Sequence, residues 1–138
     1  MIIMGMKISE ILKLRTIAIV GLSRSPEKDS YSVAEYLKSR GYVIVPVNPM
    51  ATEILGEKCH VSLKDIPFPV DIVDVFRPSA DVLYIAKEAA ELKGKTGKPL
   101  VFWMQLGIEN PEARKIAEDA GMTVIENKCI KVEHELLT

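Results

Sequence analysis

Runs of apolar residues rich in valine and isoleucine recur along the chain and predict its strands. Four are strong, at residues 16–21, 42–47, 71–76 and 99–104, and a weaker fifth lies at residues 122–126. Their apolar positions are continuous rather than alternating, which is typical of strands covered on both faces, as in a parallel sheet. We therefore predict about five buried parallel strands.

Between these runs the apolar residues take a helical spacing. Val82, Ile85, Ala86 and Ala89 follow the i, i+3, i+4, i+7 rule, and residues 113–120 follow it again. Each stretch has one apolar stripe, so we predict amphipathic helices that pack against the sheet.

Several residues mark where these helices begin and end. Asn110 followed by Pro111 is typical of a helix start, because the asparagine side chain can cap the helix and proline suits its first position. Gly41 and Gly121 stand where a left-handed residue is expected after a helix. A short leading helix is predicted at residues 8–14.

The alternation of strands and helices predicts a doubly wound α/β fold, because parallel neighbours are joined by right-handed helical crossovers. We predict one domain over residues 1–138, with strand order 3-2-1-4-5 and helices on both faces. The long polar stretch at residues 50–69 is the exception. There we expect a turn of helix near residues 62–66 and a segment that folds over the site.

Composition narrows the class of function. The chain of 138 residues is 48% apolar and 27% charged, with a formal net charge of -1, which argues against a nucleic-acid groove or a polybasic membrane surface. Two cysteines and two histidines suit neither a disulfide scaffold nor a familiar zinc site, so no metal site is predicted. Residues 1–6 lack the features of a signal peptide, and we expect a cytoplasmic protein.

The loop after the first strand carries the clearest candidate chemistry. In an open α/β sheet, ligands bind beyond the carboxyl ends of the strands, where the strand order reverses. A following helix N-terminus has unpaired N–H groups and a partial positive charge, which stabilise an anion. Gly21 allows close approach of a ligand. Hydroxyl donors and cations surround it: Ser23, Ser25, Ser30, Arg24 and Lys28. The loop is interpreted as a phosphate cradle, with an ordinary βα turn as the alternative.

Known nucleotide motifs are incomplete here. A dinucleotide fingerprint needs two further glycines, where the chain has Ser23 and Pro26, and an acid after the second strand, where residues 46–49 read PVNP. A Walker sequence is absent too. These departures favour a phosphorylated nucleotide that is held without the usual NAD contacts.

Several segments in order resemble the CoA-binding domain family, the small stand-alone relatives of the N-terminal CoA-binding domain of the succinyl-CoA synthetase α subunit. The resemblance implies a Rossmann-like fold and coenzyme A as ligand. The segments are residues 20–23 with Pro26 and Lys28, 41–42 leading to 46–49, 56–57, 71–77, 103–107 and 127–129.

The resemblance also implies roles for particular residues. The resemblance assigns contacts with the CoA phosphates to Gly21, Leu22, Ser23 and Lys28. Because CoA carries three phosphates, we also expect cations at one mouth of the site, which Arg24, Lys28 and Arg77 could supply. The adenosine end would lie beside Val47, Asn48 and Pro49. The remaining path would be lined by Phe76, Arg77, Pro78, Gln105 and Gly107. Lys28 replaces an arginine that is frequent in the family, which keeps the charge and gives up the bidentate fork.

Some of these residues have structural alternatives. Trp103 at a strand end is more often core than a ligand platform. Arg77 could pair with Asp74 or Asp81 at the surface instead of binding a ligand. The resemblance brings Cys129 near the thiol end of CoA, and we hypothesise a mixed disulfide. An inert buried Cys129 is the alternative reading, and Cys59 is the alternative partner.

The sequence offers no catalytic set, so we expect a non-catalytic binder of CoA or acyl-CoA. Two other classes remain open: a small NAD(P)-binding oxidoreductase, and a protein-interaction module with a vestigial pocket. A homodimer or membership of a larger complex is equally open.

Overall fold

Five α-helices and seven strands form within residues 5–138, the part of the chain that our computed structural model describes. The strands are β1 (Thr16–Val20), β2 (Val43–Val47), β3 (Glu53–Ile54), β4 (Glu57–Lys58), β5 (Ile72–Val75), β6 (Val101–Met104) and β7 (Thr123–Ile125). The helices are α1 (Ile8–Ile11), α2 (Asp29–Ser39), α3 (Val82–Thr96), α4 (Pro111–Asp119) and α5 (Ile130–Leu137). The expectation that residues 1–6 form no signal peptide concerns residues that lie mostly outside the described part. No helix in residues 5–138 is both long enough and apolar enough to span a bilayer.

The five longer strands form one parallel sheet in the order β2-β1-β5-β6-β7. The predicted class, a parallel α/β sheet of five strands between two helical layers, is confirmed. Counted along the chain, the five strands have the order 2-1-3-4-5. The third strand therefore pairs with the first, whereas the predicted 3-2-1-4-5 order had placed it outside the second. Both orders reverse direction beside β1, which is the feature that locates a ligand site.

The chain after β2 explains the order. His60 forms a parallel bridge with Val47, and two backbone hydrogen bonds hold it there: His60 N–H donates to Pro46 C=O, and Asn48 N–H donates to His60 C=O. This bridge occupies the end of the outer edge of β2, where a further strand would have paired. The chain then returns across β1 and enters β5 on its other side.

Two apolar layers enclose the sheet. On one face, helices α3 and α4 cover alternate residues of the strands, and Phe102 and Met104 are among the fully buried side chains there. On the other face, α1, α2 and α5 cover the remaining strand residues around the fully buried Trp103. Trp103 therefore belongs to the core, which was the alternative to its role as a ligand platform.

The predicted helix ends agree with the structure. The Asn110 side chain accepts a hydrogen bond from Ala113 N–H at 3.0 Å, which caps α4. Gly41 and Gly121 have φ values of 92° and 94°, the left-handed conformation that glycine adopts at little cost. The leading helix is shorter than predicted, because α1 ends at Ile11.

Residues 50–69 pack beside β2 and against α3. Strands β3 and β4 form a hairpin whose two turn residues, Leu55 and Gly56, both have positive φ. Lys38 of α2 holds the hairpin by donating to Leu55 C=O and by pairing with Glu57 at 2.9 Å. The predicted helical turn is present as a 3-10 turn at Leu63–Asp65.

Asp71 joins the amino ends of three neighbouring segments. One carboxylate oxygen accepts from the backbone N–H groups of Arg15 and Thr16, and the other pairs with Lys98 Nζ at 2.6 Å. Burial alone would raise the pKa of Asp71, but these hydrogen bonds outweigh it and lower the pKa below its ordinary value. The ionised carboxylate thus stabilises the alignment of β1, β5 and β6.

Asp74 is a carboxyl group in the middle of the sheet. It is fully buried, it lies in register between Ile19 and Trp103, and neither of its oxygens has a hydrogen-bond partner among residues 5–138. Burial raises the pKa of Asp74 well above its ordinary value. The group is therefore held as a neutral acid in the folded protein, and it does not pair with Arg77.

We predict that Asp74→Asn stabilises the fold increasingly as the pH rises. The unfolded carboxyl loses its proton near pH 3.9, whereas the folded one keeps it, so wild-type stability falls by about 1.4 kcal/mol per pH unit until the folded pKa is reached. Asparagine does not titrate and removes this loss. Urea unfolding at several pH values between about 4 and about 7 measures the difference.

Asp119→Asn is the control, because Asp119 is exposed and pairs with Lys115 at the surface. Its effect on the free energy of unfolding should be small. A constant difference between wild type and Asp74→Asn over the whole pH range would contradict the assignment of Asp74 as a neutral buried acid.

Candidate functional site

Gly21 is the point at which two loops meet at the carboxyl edge of the sheet. Its N–H donates to Val47 C=O at 2.9 Å, and its φ is 88°. A Cβ atom at this position would lie 2.7 Å from the carbonyl oxygen of Phe76 and 2.9 Å from Cδ of Arg77. Only glycine lets the loop after β1 approach the loop after β5 so closely.

The loop between β1 and α2 is folded by its own serines. Ser23 N–H donates to Ser30 Oγ at 3.0 Å, and Ser25 N–H donates to Ser23 Oγ at 3.0 Å. Helix α2 begins directly after Lys28, and no side-chain hydrogen bond caps it. Among the described residues, the N–H groups of Asp29 and Ser30 in the first turn of α2 have no hydrogen-bond partner and are available to an anion, with the exposed Lys28 beside them.

Asn48 connects this loop to the end of β2. Its Nδ2 donates to Leu22 C=O at 3.0 Å, and its Oδ1 accepts from Met50 N–H at 2.8 Å. Both ends of the side chain are thus engaged with backbone. Asn48 therefore stabilises the shape of the site. Because both ends of its side chain are already hydrogen-bonded, little hydrogen-bonding capacity remains for a ligand.

A cleft of about 650 Å³ opens between the loop, the end of β2 and the start of α3. We call it the nucleotide cleft, and it is lined by Val20, Gly21, Ser23, Val47, Asn48, Pro49, Met50, Val61, Arg77, Ala80, Asp81, Tyr84 and Ile85. Three large apolar or aromatic side chains at this cleft are strongly exposed: Met50, Val61 and Tyr84. Such grouped exposure is typical of a binding surface.

The charges at the cleft are partly compensated. Arg77 pairs with Asp81 at 2.8 Å, and both side chains are about half exposed, at 50% and 48%. This pair was one of the two structural alternatives for Arg77. Arg24 lies across the loop and donates to Met50 C=O at 3.4 Å. A phosphate at the cleft would compete with Asp81 for Arg77 in a solvent-exposed setting where such pairs are weak.

A second depression of about 300 Å³ lies along the same edge of the sheet. We call it the Cys129 pocket, and it is lined by Asp29, Ser32, Val33, Phe76, Gln105, Leu106, Cys129, Lys131, Val132 and Glu135. Phe76 lines this pocket, whereas its neighbour Arg77 lines the nucleotide cleft. Consecutive residues after β5 thus contribute to two different depressions.

Gln105 joins the end of β6 to the start of α5. The side chain is buried, and its Oε1 accepts from Ile130 N–H at 3.0 Å, which caps α5. Nearby, Gly107 N–H donates to Asn127 Oδ1 at 2.7 Å, and Trp103 Nε1 donates to Lys128 C=O at 2.8 Å. These bonds fix the two loops that border the Cys129 pocket.

The two cysteines are in different surroundings. Cys129 is partly exposed directly before the first residue of α5, and it lines the Cys129 pocket. Cys59 is buried, its Sγ donates to Asn48 C=O at 3.4 Å, and burial raises the pKa of its thiol. Cys129 is thus the accessible thiol of the two.

The predicted site residues divide into three groups. The nucleotide cleft brings together Gly21, Ser23, Val47, Asn48, Pro49 and Arg77. The Cys129 pocket brings together Phe76, Gln105 and Cys129. The lining of neither depression includes Leu22, Arg24, Lys28, Pro78 or Gly107. Of these five, Leu22 is fully buried and the other four are exposed on neighbouring loops.

Sequence reasoning missed several lining residues. Tyr84 lies on α3 outside its apolar stripe, so an aromatic side chain on a predicted solvent face was the available signal. Leu106 and Val132 at the Cys129 pocket are exposed apolar residues of the same kind. Nothing in the sequence indicated Asp81 as a residue of the cleft, apart from its possible ion pair with Arg77.

Comparisons with known proteins identify relatives across most of the chain. The family model of the CoA binding domain matches residues 15–135. Uncharacterized protein YneT of Bacillus subtilis (strain 168) is 45% identical over 129 residues, covering 93% of this chain and 92% of that protein. A solved structure of a hypothetical protein from Pyrococcus horikoshii OT3 superposes with a TM-score of 0.88 at 40% identity, covering 94% of this chain and 89% of the other.

A longer relative is the acetate–CoA ligase (ADP-forming) II subunit alpha of Pyrococcus furiosus. It is 32% identical over 125 residues, which cover 86% of this chain. They cover 27% of that subunit, so this chain corresponds to about a quarter of it.

We predict that Gly21→Ala destabilises the fold more than Gly41→Ala. Both glycines have φ near 90°, so alanine is strained by roughly 1–2 kcal/mol at either position. At Gly21 the new methyl group would also collide with Phe76, whereas nothing lies within 4 Å of a Cβ at Gly41. Chemical denaturation of the two variants measures the excess. Equal losses of stability would show that the close approach of the two loops is not a constraint.

Proposed function

The chain belongs to the CoA-binding domain family, as its resemblance indicated, and on that premise we propose that it binds coenzyme A or an acyl-CoA. One observation carries the proposal: a nucleotide-sized cleft and a smaller pocket lie along the same carboxyl edge of the sheet. The β1–α2 loop contributes to the cleft, and the start of α2 contributes to the pocket. CoA has a matching outline, with a phosphorylated nucleotide at one end and a thiol at the other.

The phosphates are assigned to the β1–α2 loop. Gly21, Leu22 and Ser23 bring backbone close to the ligand, and the uncapped first turn of α2 offers N–H donors. Lys28 and Arg24 add positive charge beside them. Charge-assisted hydrogen bonds of this kind are stronger than neutral ones, which suits the pyrophosphate and the ribose phosphate of CoA.

The adenosine is assigned to the nucleotide cleft. Val47, Asn48 and Pro49 form its floor in this proposal, and Arg77 reaches it from the other side. The exposed Tyr84 gives the purine an aromatic face on which to stack, an interaction worth about 1–3 kcal/mol per base.

Pantetheine is assigned to the path toward the Cys129 pocket. Phe76 and Gln105 line that pocket, and Pro78 and Gly107 lie on the loops beside the path. The proposed activity is binding without catalysis, as a carrier, a sensor or a subunit of a larger complex.

We predict micromolar or tighter binding of CoA in calorimetric titrations, with weaker binding of dephospho-CoA and of NADPH. Lys28→Ala should weaken CoA binding roughly three- to tenfold, because it removes one exposed charge near the phosphates. Lys115→Ala is the matched control, since Lys115 is an exposed lysine on α4 that pairs with Asp119.

An equal or greater affinity for NADPH would favour the oxidoreductase alternative. Lack of affinity for any of the three nucleotides would contradict the proposed function and favour an interaction module.

We also propose that Cys129 forms a mixed disulfide with CoA under oxidising conditions. The Cys129 thiolate attacks one sulfur of CoA disulfide, a protein–CoA disulfide forms, and the second CoA leaves as a thiolate that takes up a proton. The partial exposure of Cys129 and its place in the pocket support this reaction.

The mixed disulfide is tested by intact-mass spectra after incubation with CoA disulfide. We expect one CoA adduct that reductant removes. The adduct should be lost in Cys129→Ser and kept in Cys59→Ser, because Cys59 is buried. An adduct that persists in Cys129→Ser would overturn the assignment.

A further inference from the structure

The side chain of Gln105 has an unused hydrogen-bonding group at the Cys129 pocket. Its exposed fraction is only 4%. Its Oε1 is occupied by Ile130 N–H, which also fixes which end of the amide is oxygen. No residue within 5–138 accepts a hydrogen bond from its Nε2, although the side chain lines the pocket. An –NH2 group that is held rigidly in this way selects for an acceptor on a ligand.

Part of the wall of the Cys129 pocket is apolar. Val33 and Phe76 line the pocket beside Gln105, and Leu106 and Val132 leave 70% and 48% of their surface exposed at its rim. A ligand that suits them has one hydrogen-bond acceptor followed directly by an alkyl group. Such a group would cover the exposed apolar side chains at the rim, which is favourable because it removes their surface from water.

An acyl thioester has this chemistry. Its carbonyl oxygen accepts one hydrogen bond, and its acyl chain is apolar. The amides of pantetheine have a carbonyl acceptor too, but each also carries an N–H donor that would need a partner of its own. The volume of about 300 Å³ is at the small end of ligand pockets, which favours short acyl groups.

We propose that Gln105 makes this site selective for short acyl-CoA thioesters over free CoA, by donating a hydrogen bond from Nε2 to the thioester carbonyl. The inference rests on the proposed function, because it requires the nucleotide end of the same ligand to lie in the nucleotide cleft. It adds the ligand class and the specificity residue.

The position of Gln105 explains why its donor is rigid. Its Oε1 caps α5, so rotation of the amide would leave Ile130 N–H without a partner. The same helix carries Cys129 at its start, so the cap fixes the donor relative to the thiol. The hydrogen bond from Ile130 thus holds the Gln105 side chain in place before a ligand binds.

The test compares butyryl-CoA with S-butyl-CoA, a thioether of equal chain length that lacks the carbonyl. Calorimetric titration of the wild-type protein should give butyryl-CoA about tenfold higher affinity, because the thioether cannot accept the hydrogen bond from Gln105 Nε2. This comparison needs no variant, so it does not depend on the folding of one.

Gln105→Glu is the matched variant. Its carboxylate still accepts from Ile130 N–H and keeps the cap of α5, but it replaces the –NH2 donor with a second acceptor. The preference for butyryl-CoA over S-butyl-CoA should disappear in this variant. Binding of 3′-phospho-ADP, which carries only the nucleotide end, should stay within twofold of the wild type.

Equal affinities of the wild type for butyryl-CoA and S-butyl-CoA, with CoA still bound, would overturn the role of Gln105 and leave the proposed function intact. A preference that survives in Gln105→Glu would also overturn it. If neither CoA nor 3′-phospho-ADP bound, the proposed function would fail together with this inference.

Discussion

The close contact between Gly21 and the carbonyl of Phe76 is the constraint on which the carboxyl edge of the sheet depends. A 2.7 Å approach to the position of a missing Cβ leaves no room for any other residue. The contact joins the loop after β1 to the loop after β5 at the place where the strand order reverses. It thereby fixes the start of the loop that leads to α2.

Two depressions of different chemistry follow from the same junction. Arg77 lines the nucleotide cleft with polar and exposed aromatic neighbours, while Phe76 lines the smaller pocket beside Gln105 and Cys129. A ligand with one charged and one apolar end matches this arrangement better than a compact one. The family to which the chain belongs supports CoA as that ligand.

Local sequence predicted the five strands of the parallel sheet and the helices α3 and α4, because each leaves a periodic or turn signal. It identified fewer than half of the residues that line the two depressions. The strand order depends on the bridge between Val47 and His60. No local sequence pattern predicts this contact, because it joins two separate segments of the chain. Asp74 and Asp81 were the two alternative surface partners of Arg77, and Asp81 is the one that pairs with it. A single carboxyl such as Asp74 in an apolar run does not reveal which face it occupies. The capping role of Gln105 depends on Ile130, 25 residues further along the chain.

We propose that one CoA molecule spans both depressions, and amide chemical shifts in a titration with CoA test this most directly. We expect shifts for Gly21 and residues 23–30 together with Gln105 and Ile130, whereas 3′-phospho-ADP should move only the first group. Shifts confined to other surfaces, or identical patterns for the two ligands, would contradict it.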